Sequence, residues 1–347
     1  MNKIKICFDD LRKVLRGSQK RITLVPHKNP DGDAIGSSLG MFLYLKKIGH
    51  DVCLISPTDY PEFLKWLPSS EEIILFSKDT KTFVEIRIEH SDYLFIIDFN
   101  VLSRMAPLDP LLHTAQAIKV LIDHHIDPML FDLIFSDPIA PATAVLIFKF
   151  IEQMGHLDYI DQQIATCLYT GIVTDTGSFR FPSVTPETHR IAAKLLEKGV
   201  DIAYINTRLY GIHSEHRMNF LGKTLQNLKI LPTYRTAYMV ISASNLSTYQ
   251  YRRGDTEGFV NYGLDIKDIV FSVIFIEEFE EGPIRISFRS RGDFDVNAFA
   301  KDHFQGGGHK NAAGGKSDGN LTETTQLFLD ILPSYEHILS KDIISYR

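Results

Sequence analysis

The chain has 347 residues, of which 44% are hydrophobic and 23% charged, the balance of a folded globular protein long enough for two domains. Its 37 basic and 43 acidic side chains give a formal charge of −6, which argues against a groove that tracks long nucleic acid and favours short substrates gripped by local cations. Three cysteines, Cys7, Cys53 and Cys167, form no CxxC pair, and no apolar run approaches the roughly 18–20 residues of a membrane helix; the expectation is a cytoplasmic protein with no membrane partner.

In chain order, RITLVP (21–26) is predicted as a buried strand, followed by a polar loop and a helix from about Ala34 to Ile48 that stops at Gly49. DVCLIS (51–56), YLFIID (93–98) and AIKVLID (117–123) are further apolar strands, and Ala142 to Met154 and the run leading to Asp175 read as helices. Continuous apolar strands separated by helices predict an α/β fold: a mostly parallel sheet with helices on both faces, over residues 1–190. Residues 191–231 are helical in pattern and are expected to form a connector. From Thr236 the strands TAYMVISA, DIVFSVIFIEE and PIRISFRSR alternate in polarity, predicting a smaller mixed α/β domain over 232–347.

The loop after the first strand reads His27-Lys-Asn-Pro-Asp31-Gly-Asp33, with turn formers that let the chain double back and aim its imidazole and carboxylates at one point. Such donors suit divalent transition ions, although a helix N-cap is the competing explanation for the aspartates. Asp98 and Asp123-His124-His125 end two further strands, and ligands of open parallel sheets collect outside the strands' carboxyl ends. Asp175, in Thr-Asp-Thr-Gly-Ser-Phe, follows the last apolar helix of the first domain. Together these supply four carboxylates and two imidazoles: His27, Asp31, Asp33, Asp98, His124 and Asp175. That many carboxylates do not stay ionised in one cleft without cations, and two divalent ions would balance them.

The order His-x3-Asp-x-Asp, Asp, Asp-His-His, Asp over residues 20–180 resembles the DHH phosphoesterase superfamily. The resemblance implies that His27 and Asp31 bind one ion, that Asp33, His124 and Asp175 bind a second, and that Asp98 bridges them. It implies that Asp123 supports the site from behind and that His125 meets substrate phosphate. A protonated His125 would stabilise charge on the phosphate or help the leaving oxygen depart. The catalytic set is thus Asp98, Asp123, His124 and His125, and the donor chemistry favours Mn²⁺. After Asp98 the chain departs from the small residues common in that family, and Ser103 and Arg104 are placed to reach substrate.

In the second domain Arg285, Ser287, Arg289 and Arg291 alternate with Ile284, Ile286 and Phe288, an expected anion-binding row. Gly306, Gly307, Gly308 and His309, followed by Ala312-Ala313-Gly314-Gly315, are expected to form a loop whose backbone N–H groups approach a phosphate. This pattern resembles the DHH-associated domain of the branch that holds RecJ-type exonucleases and the bifunctional oligoribonucleases and phosphoadenosine phosphate phosphatases. It implies that Arg289 and His309 contact substrate, next to Gly307 and Gly308, which the loop reading already places against a phosphate. The function so implied is hydrolysis of short oligoribonucleotides to mononucleotides, with phosphoadenosine phosphate as a further substrate. Cleavage of cyclic di-AMP or of the linear dinucleotide pApA is the alternative, and a non-catalytic nucleotide-binding regulator is the alternative from another class. Base rates for oligomers favour a homodimer.

Overall fold

The structure, a computed structural model, describes residues 7–129, 131–211, 213–252, 254–277 and 282–340; the side chains of Leu102 and Ser103 lie outside that description, so the expectation for Ser103 does too. The chain divides into two compact units, residues 1–212 and 213–347. Among the described residues no helix is long and apolar enough to cross a membrane.

The first unit runs α1 (Phe8–Leu15), β1 (Arg21–Pro26), α2 (Gly32–Lys47), β2 (Asp51–Ser56), β3 (Ile74–Leu75), α3 (Lys81–Glu89), β4 (Tyr93–Ile97), α4 (Asp109–Thr114), β5 (Ile118–Asp123), β6 (Leu133–Ser136), α5 (Thr143–Gln153), α6 (Gln162–Asp175), α7 (Pro186–Leu196) and α8 (Ile202–Asn206). Its described strands form one parallel sheet in the order β3-β2-β1-β4-β5-β6. Alternate residues of one strand serve two cores, as a sheet covered on both faces requires. On β4, Phe95 and Ile97 pack into the core that includes Leu39 of α2 and Phe150 of α5, while Leu94 and Ile96 pack with Val84 of α3 and Leu112 of α4. The strand order reverses between β1 and β4, which places the switch point between the chain segments that end on His27 and Asp98.

Helices α2 and α6 approach closely because α2 turns a row of glycines towards α6. A Cβ on Gly36 would lie 2.5 Å from the carbonyl oxygen of Cys167, and one on Gly40 would lie 2.5 Å from Leu168 Cδ2. On α6, a Cβ on Gly171 would meet Asp33 Oδ1 at 2.8 Å. This contact brings the start of α2, with Asp33, against the end of α6, with Asp175.

The second unit runs α9 (Glu215–Gln226), β7 (Lys229–Leu231), β8 (Thr236–Ile241), α10 (Ala243–Thr248), α11 (Asn261–Leu264), β9 (Phe271–Glu277), β10 (Ile284–Ser290), α12 (Val296–His303), β11 (Gly307–His309), β12 (Ala312–Ser317), α13 (Leu321–Ile331) and α14 (Glu336–Leu339). Its sheet has the order β11-β12-β10-β9-β8-β7; β8 and β9 are parallel and the other pairs antiparallel. One face carries a phenylalanine-rich core of Phe271, Phe275, Phe288, Phe299, Phe304 and Phe328. On the other, Met239, Ile241, Ile274 and Ile276 pack against Phe220 of α9 and Leu246 of α10. The helical stretch of the sequence is shared between the units: Ile191, Leu195 and Ile205 join the first core, whereas Phe220 and Leu221 join the second.

Candidate metal centre and nucleotide-binding face

The metal-type residues all lie at the carboxyl end of the parallel sheet or on the two helix ends that meet there. His27 follows β1. Its Nδ1 lies 2.7 Å from the Lys28 carbonyl oxygen, to which it donates, so the Nε2 lone pair points inward. That nitrogen is buried with no hydrogen-bond partner, 3.7 Å from Asp98 Oδ2 and 3.9 Å from Asp31 Oδ2. Burial, with help from the Arg104 charge and against the pull of Asp31, lowers the His27 pKa to about 4, so the ring is neutral. A neutral imidazole lone pair turned towards two carboxylates is an arrangement that a cation resolves.

Asp31 serves both purposes the sequence offered. Its Oδ1 accepts the N–H groups of Asp33 at 3.1 Å and Ala34 at 3.0 Å, capping α2, and its Oδ2 faces His27. Asp33, the second residue of α2, is buried. Its Oδ1 accepts from Ser37 Oγ at 2.9 Å and from the Ala144 N–H at 3.0 Å, and its Oδ2 accepts the Thr143 N–H at 2.6 Å.

Asp98 follows β4 with a left-handed backbone, φ 66°, and its N–H donates to the Ile122 carbonyl. Such a conformation is rare outside glycine and turns the side chain back over the strand ends. One carboxylate oxygen, Oδ2, faces His27. The other, Oδ1, lies 3.6 Å from His124 Nε2 and accepts the Thr143 hydroxyl at 2.8 Å. Burial first, then the charges of Asp33, Asp31 and Asp175, push the Asp98 pKa well above the ordinary carboxylate value.

His124 Nδ1 donates to the Ala140 carbonyl at 3.0 Å, which turns Nε2 towards Asp175 Oδ2 at 3.4 Å. Donor atoms of His27, Asp31 and Asp98 lie within 4.8 Å of one another, as do those of Asp33, His124 and Asp175. The six residues thus form two adjacent imidazole–carboxylate sets with Asp98 between them, each able to hold a divalent ion.

Behind this centre, His125 Nδ1 donates to the buried Asp123 Oδ1 at 2.6 Å, and Arg104 Nη1 donates to His125 Nε2 at 2.9 Å. Burial, reinforced by Arg104 and opposed by Asp123, holds the His125 pKa below its usual value. A guanidinium only donates, so His125 Nε2 accepts and carries no proton in this arrangement; the cation of the pair is Arg104 rather than the expected protonated His125. The Arg104 carbonyl also accepts the Lys28 N–H at 2.7 Å, tying the loop after β4 to the loop that follows His27.

In the second unit β10 alternates as the sequence predicts, with Ile284, Ile286 and Phe288 buried and Arg285, Ser287 and Arg289 half-buried on the other face. Arg291 lies beyond the strand and pairs with Asp265 at 3.5 Å. Directly paired residues of a ladder point to the same side. Arg289, Ala312 and His309 therefore form one cross-strand row, and Ser287, Gly314 and Gly307 form the next. This brings Arg289 and His309 onto one face.

The glycine-rich segment is a hairpin rather than an open phosphate loop. The Gly308 N–H is taken by Asn297 Oδ1 at 2.9 Å and the Gly306 N–H by the Ala300 carbonyl at 3.0 Å, so neither is available to an anion. Sterics explain most of these glycines. A Cβ on Gly308 would lie 2.5 Å from the Ala312 carbonyl, and one on Gly306 would collide with the Gly314 carbonyl. At Gly307 a Cβ would meet nothing closer than 3.7 Å, and at Gly314 nothing closer than 3.8 Å. Those are ordinary contact distances, so sterics do not require glycine at either of these two paired positions, which lie in the row next to Arg289 and His309.

Thr143 escaped the sequence reading, because a threonine at a predicted helix start looks like an N-cap and nothing in the sequence points it at Asp98.

Residues 21–172 match the model of the DHH family, N-terminal domain, and residues 236–335 match that of the DHHA1 domain. The chain is 31% identical over 328 residues to the bifunctional oligoribonuclease and PAP phosphatase NrnA of Thermus thermophilus, an alignment covering 94% of this chain and 90% of that protein. It is 27% identical over 301 residues to the protein of the same name from Bacillus subtilis, covering 84% and 88%. Among solved structures, an exopolyphosphatase-related protein from Bacteroides fragilis superposes with a TM-score of 0.91 at 36% identity, covering 96% of this chain and 97% of that one. The chain belongs to the DHH family of phosphoesterases and carries a DHHA1 domain after its DHH domain.

Proposed function

We propose that this protein hydrolyses short oligoribonucleotides to nucleoside monophosphates and also removes a phosphate from phosphoadenosine phosphate, as the names of its relatives say of them. The observation that carries the proposal is the position of Asp98, whose two oxygens face separate imidazole–carboxylate sets. We assign His27 and Asp31 to one ion, Asp33, His124 and Asp175 to a second, and Asp98 to both, with Mn²⁺ the ion best suited to the donors. Ions held there would supply Lewis-acid stabilisation of phosphate charge and ease deprotonation of the attacking water.

The chain's own groups would do the rest. Arg104, positioned by His125, would donate to a phosphate oxygen, with Asp123 holding the ring in place. Arg289 and His309 would hold a second phosphate or the nucleotide bearing it, beside the paired Gly307 and Gly314. The three described cysteines are free, in keeping with a cytoplasmic setting, and a homodimer is the assembly we expect.

Product analysis with Mn²⁺ on RNAs of two to about ten nucleotides, phosphoadenosine phosphate and cyclic dinucleotides tests this proposal. Mononucleotides released from the shortest RNAs, and AMP from phosphoadenosine phosphate, are expected. Turnover confined to cyclic di-AMP or pApA would replace it, and no turnover of any of them would leave a nucleotide-binding regulator.

A further inference from the structure

We infer that Thr143 is a positioning residue for the bridging carboxylate: its hydroxyl fixes the rotation of Asp98 so that one oxygen faces each ion. The inference rests on the two-ion site proposed above.

Thr143 is the first residue of α5 and is fully buried. A threonine at a helix start ordinarily caps its own helix. Here the residue at the cap position is Ala142, which has no side chain for the task, and the first-turn N–H groups of Thr143 and Ala144 are satisfied instead by Asp33 from α2. The Thr143 hydroxyl is thereby spared from capping, and it donates to Asp98 Oδ1 at 2.8 Å. One residue thus binds two of the proposed ligands, Asp33 through its backbone and Asp98 through its side chain.

The effect on Asp98 is geometric. The left-handed backbone fixes where its side chain starts, but the terminal carboxylate torsion is soft and two-fold. The hydroxyl occupies one lone pair of Oδ1 on the α5 side. The carboxylate plane is then held with Oδ1 towards His124 and Oδ2 towards His27, 3.6 and 3.7 Å away. Without that donor the carboxylate is free to turn, and one ion loses its share of the bridge. Hydrogen-bonded supports of this kind typically contribute about 10- to 100-fold to metal affinity.

The test is calorimetric titration of the full-length, chelator-treated protein with Mn²⁺, alongside Thr143→Val and Thr143→Ser. The valine is nearly isosteric and keeps the backbone N–H to Asp33; the serine keeps the hydroxyl as well. Thr143→Val is expected to retain the stronger binding event and weaken the other by roughly 10- to 100-fold. Thr143→Ser is expected to stay within a few-fold of the parent at both. Circular dichroism is expected to show all three folded. Equal affinities in parent and valine variant would overturn the inference. So would a folded serine variant weakened by ten-fold or more, which would assign the role to packing of the methyl group; that arm holds even if the valine variant does not fold. A parent that binds a single ion would instead overturn the two-ion reading itself.

Discussion

Arg104 donates to Nε2 of His125 at 2.9 Å, while the opposite nitrogen of the same ring donates to Asp123 at 2.6 Å. The ring is a neutral spacer that passes the Asp123 anchor to a guanidinium whose charge acts on His27 and Asp31. Arg104→Ala should lower kcat/KM on a diribonucleotide by roughly 10- to 100-fold, the equivalent of one charge-assisted hydrogen bond. Arg104→Lys should recover only part of this, because a point charge does not reproduce the planar fork. Unchanged steady-state kinetics in the alanine variant would remove Arg104 from the site.

Asp98→Asn should abolish turnover and weaken Mn²⁺ binding while the fold survives. Asparagine tolerates the left-handed backbone at this position almost as well as aspartate does. The substitution also removes an acid whose charged form is disfavoured by burial and by Asp33, Asp31 and Asp175. Chelated Asp98→Asn protein should therefore melt no lower than chelated parent, and Mn²⁺ should raise its Tm less than it raises the parent's. A thermal-shift assay with and without chelator reads both effects.

Gly36→Ala should damage the metal centre from a distance. The added methyl would sit 2.5 Å from the Cys167 carbonyl and 2.9 Å from the Gly171 amide, so α2 and α6 must separate. Overpacking of this kind costs about 1–3 kcal/mol, which urea unfolding would resolve. The same separation moves Asp33 away from Asp175, so Mn²⁺ affinity should fall in parallel. A loss of stability with intact affinity would show that the site does not depend on helix spacing.

Two neighbouring glycines of the second unit should behave oppositely. Gly308→Ala forces a side chain against the Ala312 carbonyl at a φ of 153° and should destabilise the unit by about 1–3 kcal/mol. Gly307→Ala has room and should leave the melting curve unchanged while raising KM. Arg289→Ala should likewise raise KM more than it lowers kcat, as expected for uniform binding. A Gly307→Ala enzyme with parental KM would show that Gly307 does not face substrate.

Stability should respond to pH through a pair far from the metals. Arg87 of α3 donates to both Asp51 oxygens at 2.9 and 2.8 Å and to the Ile22 carbonyl at 3.1 Å, clasping β1 to β2. The Arg87 hydrogen bond, against partial burial, holds the Asp51 pKa below its ordinary value. A lowered acid pKa contributes stability above the unfolded value of about 4, and that contribution disappears as pH falls through the folded value. Asp51 is half-exposed, so Asp51→Asn should cost under ~1 kcal/mol at neutral pH and less still in acid. A penalty that grows in acid would reverse the assignment.

The strands that end on His27, Asp98 and Asp123 were legible because each is a continuous apolar run stopped by a polar ligand-type residue, a pattern short-range sequence carries well. The first sheet follows from the same runs, and the row of Arg285, Ser287 and Arg289 from period-two alternation. What stayed hidden depends on contacts across long sequence distances. Asp33 caps a helix 110 residues away, and the Thr143 hydroxyl reaches Asp98 across 45. Neither leaves a mark in the local pattern. The glycines of the hairpin misled for a related reason: a glycine spared for a ligand and one required by a neighbouring carbonyl look identical until the neighbour is known. The elements β3, α3 and α4 were unread: β3 and α4 are too short to set a period, and in α3 the apolar Val84, Ile86 and Ile88 are spaced by two rather than at helical intervals.

The three donors around Asp33 also bear on the order in which the centre is assembled. A carboxylate already holding two backbone N–H groups and a hydroxyl is kept in place by the fold itself. Chelation should therefore yield an inactive but intact protein that regains activity on simple addition of Mn²⁺, without passing through refolding. In a cell such an enzyme would act as a reporter of free metal, its working fraction set moment to moment by supply rather than by its own synthesis.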